Sequence, residues 1–237
     1  MGNNDYSHFT IVIPTLDEKG TIGALVRRIE AEYAGARVIV VDDGSGDGTK
    51  EAVEALAKRY RNVMLIDRHG EGRPRGLTAS VVEGIEKCST KYFVVMDADM
   101  QHPLEKVRRL ADMLEKGYDA AVAERESVTG WALYRKIISK ALILIGQLVL
   151  NARGKEACGD IFSGFFGMRR SLFMRVHRDN RQRFVGEGYK VLFDFLKCVD
   201  KGTLRIGEVP YVFRVRESGR SKAGYRQGIA LLKSFVS

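Results

Sequence analysis

Five short apolar runs, each followed by a helical repeat, constrain this chain more than any other feature. The runs are FTIVIP (9–14), ARVIVVDD (36–43), NVMLIDR (62–68), KYFVVMDAD (91–99) and DAAVAER (119–125). Between them, Ile22, Leu25, Val26 and Ile29 fall on one face of a helix over 20–33. Further helices are predicted over 49–60, with Thr49 as a cap, over 76–88, and over 103–117, where Pro103 suits a first turn. A strand–helix rhythm of this kind makes an α/β fold: a mostly parallel sheet with helices on both faces. Ligands gather at the carboxyl ends of such strands. Here those ends read PTLDE, DDGSGDGT, DADMQ and AERE, so chemistry is expected there.

After residue 127 the rhythm changes. GWALYRKIISKALILIGQLVLNA (130–152) reads as one long helix with a basic front half and an apolar rear half. Its apolar run is shorter than the roughly 20 residues that span a bilayer. Two readings stay open: a buried core helix, or an interfacial helix with its apolar face in lipid. Two more helix-like stretches and a strand pair follow, among them YKVLFDFLKCV and LRIGEVPYVFRVR. There is no repeat, low-complexity segment or evident linker, which favours one domain. The opening MGNNDYSH is polar and does not read as a signal peptide.

With 237 residues the chain can bury a sizeable core without disulfides. Its three cysteines, Cys88, Cys158 and Cys198, are odd in number and far apart, as expected of reduced core thiols in a cytosolic compartment. The net charge of +9 is uneven: residues 1–168 carry 23 basic and 24 acidic side chains, residues 169–237 carry 16 and 6. The last third therefore attracts phosphates, whether of nucleic acid, a nucleotide or an anionic membrane.

In DADMQ, strand alternation would put Asp97, Asp99 and Gln101 on one side of the extended chain. Oxygen ligands suit Mg2+ or Mn2+, completed by substrate phosphates and water. The bland alternative is a solvated turn. In DDGSGDGT, Asp42 and Asp43 cannot both face the core cheaply, and one is free to accept hydrogen bonds from a base or ribose. The stretch is acidic and lacks a P-loop lysine, which argues against a phosphate cradle. In PTLDE, Pro14 stops a strand and Glu18 sits where a helix begins, as a cap or as a site residue. Arg125 ends the fifth run. Arg135 and Ser139, four apart, share a helix face, and Arg216 and Lys222 flank a glycine turn in FRVRESGRSK. Each alone reads as surface charge; together they could neutralise two phosphate groups.

PTLDE, DDGSGDGT, DADMQHP, SGFFGMRR and FRVRESGRSK, in this order over residues 9 to 224, resemble the family 2 glycosyltransferases with the GT-A (Rossmann-like) fold. Within that family the similarity is to the polyprenyl-phosphate branch, the dolichol-phosphate mannose synthases; no QxxRW-like motif of processive enzymes is present. The resemblance implies a single catalytic domain over 1–237, with 128–237 facing acceptor and membrane through amphipathic interface helices. It implies that Pro14, Leu16, Glu18, Val41 and Asp43 line the base and ribose pocket. Leu16 stands where the family usually has an aromatic, and HGEGRPRGL (69–77) departs from the family's lysine-glycine-leucine-glycine stretch. Asp97, Ala98, Asp99 and Gln101 would hold the metal and diphosphate, with Asp99 central to catalysis. Arg125, Arg135 and Ser139 would meet the lipid phosphate. Lys190 would contact the sugar nucleotide, and Arg216 and Lys222 would clamp its diphosphate.

The activity so implied is inverting transfer of mannose from GDP-mannose to dolichyl (polyprenyl) phosphate, with Mg2+ or Mn2+. The setting is the cytoplasmic face of a membrane, that of the endoplasmic reticulum or, in an archaeon, the cell membrane, with room for a membrane-anchoring partner subunit. The acceptor is already an anion near neutral pH, which fits the absence of an obvious histidine base. The competing enzyme reading is the same fold using a UDP-sugar such as UDP-glucose. A nucleic-acid-binding protein is the non-enzyme reading; the acidic strand ends and the lack of an aromatic stacking platform speak against it.

Overall fold

The computed structural model describes residues 5–70, 76–130, 132–184 and 190–214. Seven strands form one sheet: β1 (Phe9–Thr15), β2 (Arg37–Asp42), β3 (Val63–Asp67), β4 (Tyr92–Val95), β5 (Ala120–Val128), β6 (Phe166–Arg169) and β7 (Ile206–Phe213). Their order is β3-β2-β1-β4-β6-β5-β7. β1 to β4 pair in parallel, as do β5 and β7, whereas β6 runs antiparallel to both β4 and β5. The sheet is thus parallel but for one strand. The helices are α1 (Lys19–Glu32), α2 (Thr49–Arg59), α3 (Leu77–Lys87), α4 (Glu105–Glu115), α5 (Leu133–Ala152), α6 (Arg170–Asp179) and α7 (Val191–Leu196).

The period-two pattern of the strands sorts their side chains into two cores. Ile11, Ile13, Val38, Val40 and Val94 face Ile22, Leu25, Val53 and Leu110 of α1, α2 and α4. Val12, Ile39, Val41, Phe93 and Val95 face Val81, Ile85, Phe173 and Phe195 of α3, α6 and α7. α3 approaches β1 closely because residue 84 is glycine: a Cβ there would lie 2.5 Å from Val12 Cγ1.

Several expectations need correction. β4 stops at Val95, and residues 96–103 form a turn in which Met100 takes φ 64°, so strand alternation does not set the DADMQ geometry. β5 runs on to Val128, with a register shift between Arg125 and Ser127; Arg125 therefore lies inside the strand at a bulge, not at its end. Within LRIGEVPYVFRVR the described residues give one strand, Ile206–Phe213, and β6 and β7 flank β5 instead of pairing with each other. Thr49 opens α2 without capping it; Asp47 Oδ1 accepts its N–H at 2.9 Å. Cys88 and Cys158 are buried free thiols and Cys198 is half-buried. Burial pushes the Cys88 thiol up to about 12, so it is inert.

α5 settles one open choice. Only Gly146 and Leu150 are buried along its 20 residues. Leu133, Tyr134, Ile137, Ile138, Leu144, Ile145 and Leu148 are exposed, Leu133 at 73% and Leu148 at 60%. It is not a core helix. Among the described residues no helix is long and apolar enough to cross a membrane.

Candidate active site

The carboxyl ends of β1, β2 and β3 are laced together by side chains. Asp17, in the left-handed region at φ 46°, donates its N–H to Ser45 Oγ at 2.8 Å and accepts Gly46 N–H at 2.8 Å. Glu18 N–H donates to Thr49 Oγ1 at 2.8 Å. Glu18 is buried and occupies the position before α1, yet its side chain makes no capping bond; Thr21 Oγ1 donates to its Oε2 at 3.2 Å. Pro14 and Val41 are buried and pair across β1 and β2; Leu16 is exposed at 36%.

The acidic pair divides the labour. Asp42 is fully buried, accepts from the Ser45 hydroxyl, and burial raises its pKa. Asp43 is held by Arg68 and by the Gly76 N–H at the start of α3, 2.8 Å from Oδ2. Arg68, 3% exposed, also donates to Glu83 at 3.0 Å and to Ser80 at 2.7 Å. Sequence reasoning passed over Arg68, although an arginine ending a strand opposite DD was a visible signal. Asp42, Asp67 and His69 bring three ligand atoms within 4.8 Å of one another, a group able to hold a metal. Lys50 already pairs with Asp67 at 2.7 Å, and His69 Nδ1 with Asp67 at 2.6 Å.

At the end of β4 the structure gathers a second set. Asp99 is buried, and its Oδ1 accepts Gln101 N–H at 3.0 Å. Asp97 is half-buried and donates its N–H to His102 Nδ1 at 3.1 Å, which leaves the His102 proton on Nε2, 3.8 Å from Asp97 Oδ2. His102 stacks on Phe165 and meets Tyr211 and Phe213 edge-on. Burial, aided by the Arg125 charge, pushes its pKa down to about 3, so the ring is neutral. Gln101 spends its amide nitrogen on Arg214 O at 2.7 Å, leaving the amide oxygen Oε1 as an acceptor able to ligate a cation. A Cβ on Gly164 would lie 3.6 Å from Asp97 Oδ1, so the SGFF loop abuts this turn. Ala98 is buried beneath it. The donor set of Asp97, Asp99 and Gln101 Oε1 is all oxygen, the chemistry a hard divalent cation requires.

Arg125 faces the same turn from β5. It donates Nε to Asp160 Oδ2 at 2.6 Å and Nη2 to Oδ1 at 3.0 Å. Its guanidinium lies 6.0 Å from the Phe213 ring and acts electrostatically with Asp97 and Tyr211. Arg135 is exposed and Ser139 half-buried on α5; neither side chain bonds a site residue among the described residues. Lys190 is buried just before α7, beside the Asp194–Lys197 pair at 3.0 Å. Arg216 and Lys222 lie outside the described residues.

The sequence profile described as Glycosyl transferase family 2 matches residues 10–176. The chain belongs to glycosyltransferase family 2. This glycosyltransferase is 33% identical over 219 residues to a dolichol-phosphate mannosyltransferase of Pyrococcus furiosus, covering 90% of the chain and 58% of that protein. It is 31% identical over 226 residues to the dolichol-phosphate mannosyltransferase of Saccharomyces cerevisiae, covering 90% of the chain and 80% of the yeast protein. The chain thus spans little more than half the length of the archaeal relative. Its GT-A fold matches a solved glucosyl-3-phosphoglycerate synthase of Mycobacterium tuberculosis bound to phosphoglyceric acid. That match has a TM-score of 0.63 at 21% identity and covers 96% of this chain and 79% of the other. The same synthase bound to Mn2+ and UDP-glucose matches with a TM-score of 0.58 at 20% identity, covering 96% and 78%.

Proposed function

We propose that this glycosyltransferase moves mannose from GDP-mannose to dolichyl (polyprenyl) phosphate with inversion at the anomeric carbon. The observation that carries this reading is the meeting of the DADMQ turn and Arg125 at one end of the sheet, in a chain whose relatives are named for this reaction. Pro14, Leu16, Glu18, Val41 and Asp43 lie at the ends of β1 and β2, where they would bound the base and ribose. Arg68 keeps Asp43 in place.

Asp97, Asp99 and Gln101 Oε1 would hold the divalent cation, Mg2+ or Mn2+. When bound, the ion neutralises charge on the departing diphosphate. The remaining work falls to the chain. Arg125 meets the acceptor phosphate and screens its repulsion from the donor diphosphate, joined in this reading by Arg135 and Ser139. Lys190, Arg216 and Lys222 complete the grip on the sugar nucleotide. An acceptor phosphomonoester, with a second pKa near 6, is already mostly dianionic at neutral pH. One of its oxygens attacks the anomeric carbon from the face opposite GDP. No side chain need remove a proton, and His102, neutral and stacked among aromatics, is placed to orient Asp97.

The exposed apolar face of α5 supports peripheral attachment to a membrane, which this reading puts on the cytoplasmic side. The test is a radiolabelled donor panel, GDP-mannose against UDP-glucose, with dolichyl phosphate in vesicles. Mannosyl transfer that is lost on chelation of divalent ions is the expected result; glucosyl transfer alone would replace this donor assignment.

A further inference from the structure

Asp160 lies outside the PTLDE, DDGSGDGT, DADMQHP, SGFFGMRR and FRVRESGRSK motifs. It lies in the loop between α5 and β6 and is 2% exposed. Its carboxylate takes two of the three nitrogens of the Arg125 guanidinium in a fork-to-fork pair. Among the described residues no other group hydrogen-bonds that guanidinium, so Nη1 is left for an anion. The Asp160 loop is itself held from three sides. Gln147 of α5 donates to the Cys158 and Gly159 carbonyls at 2.8 and 3.2 Å. The Gly159 N–H donates to Glu208 Oε1 of β7 at 2.6 Å. Ser163 Oγ donates to the Ala123 carbonyl at 2.7 Å, two residues before Arg125 on β5. Ala123 N–H donates in turn to Phe165 O at 2.9 Å.

A long arginine side chain has many rotamers, and an anion site gains from having its donor fixed before the anion arrives. We propose that Asp160 is a positioning residue for acceptor binding: it locks Arg125 so that Nη1 points toward the phosphate of the incoming polyprenyl phosphate. This rests on the functional reading above, in which Arg125 meets the acceptor. A buried carboxylate beside a phosphate site is otherwise a cost, because it cancels the charge of the arginine it pairs with. The forked geometry gives that carboxylate a role which a lone basic residue would not need.

The experiment is a double-mutant cycle on the purified full chain: Asp160→Asn, Arg125→Gln and the pair together. Steady-state kinetics are measured against polyprenyl phosphate in detergent and GDP-mannose affinity by calorimetry, with thermal melting as a fold check. Asp160→Asn is expected to lower kcat/KM for the lipid acceptor about 100-fold, the loss typical of a group misplaced by about 1 Å, through KM. Its donor affinity stays unchanged. In the Arg125→Gln background the same change adds no further loss. Asp160→Glu, which keeps the charge and shifts the fork by one methylene, shows the same acceptor-specific defect and guards against misfolding of the asparagine variant. A full additional loss in the Arg125→Gln background would make Asp160 an independent catalytic group and overturn the inference. Unchanged acceptor kinetics, or an equal loss of donor affinity, would also overturn it. Absence of transfer by the unmutated chain would defeat the functional reading itself, and this inference with it; additive losses in an active enzyme defeat the inference alone.

Discussion

Gln101 and Arg214, 113 residues apart in sequence, are clasped by two hydrogen bonds: Gln101 Nε2 donates to the Arg214 carbonyl at 2.7 Å, and Arg214 N–H donates to the Gln101 carbonyl at 3.2 Å. Arg214 also pairs with Glu105 of α4 at 2.8 Å. The chain that leads to Arg216 and Lys222 therefore departs from the oxygen-rich turn after β4. Arg214 and the proposed cation seat thus share one backbone junction.

Asp99→Ala is expected to abolish transfer while leaving the chain folded, since the Gln101 N–H bond it loses lies within the same turn. Mn2+ titration followed by electron paramagnetic resonance, with and without GDP, checks this. Undiminished turnover in saturating Mg2+ or Mn2+ would remove the metal role from this turn.

Arg68→Met leaves Asp43 and Glu83 without their shared cation in a site where the arginine is 3% exposed. Breaking a buried pair from one side costs about 3–5 kcal/mol. Chemical denaturation should show that loss, and GDP affinity should fall with it. A variant as stable as the parent would mean that Asp43 is held by Gly76 alone.

Gly84→Ala drives a methyl into Val12, 2.5 Å away, where helix and strand are packed without slack. Overpacking of this kind costs about 1–3 kcal/mol. The readout is the denaturation midpoint, with catalytic constants of the folded fraction unchanged.

Ile137→Asp with Leu144→Asp removes two exposed apolar side chains from α5, at 59% and 57% exposure. Each withdraws about 1.5–3 kcal/mol of burial from a lipid interface and nothing from the core. Flotation with vesicles containing anionic lipid should fail while thermal stability holds. Undisturbed flotation would move the membrane contact elsewhere.

His102 gives the pH prediction. Its folded pKa is pushed down to about 3 from an ordinary value of 6.5. The unfolded chain then binds a proton that the folded chain refuses. Stability is full above about pH 6.5 and falls as pH drops from there toward 3, by on the order of 5 kcal/mol at most. Metal-free protein followed by denaturant melts from pH 7 to 4 should show this slope, and His102→Gln should flatten it.

How much of this was legible in the sequence follows from the range of the forces involved. The first five strands and four helices were readable because apolar periodicity is local. DADMQ was readable as chemistry but not as geometry: the left-handed Met100 that turns the chain is invisible to alternation. The fate of α5 was undecidable, since an apolar repeat does not say what it faces. Asp160 and Arg68 escaped notice because a buried ion pair is made by residues 35 positions apart in one case and 25 in the other. No local pattern records such a meeting. β6, only four residues long, was visible as a motif and not as a strand.

That brief reversed strand has an architectural outcome. An all-parallel sheet can offer a ligand only the places where strands finish. Running backwards, β6 presents its starting point there too, so the α5–β6 excursion that carries Asp160 is delivered to the edge of the DADMQ turn, a place no forward-running strand at that position could reach with its leading loop.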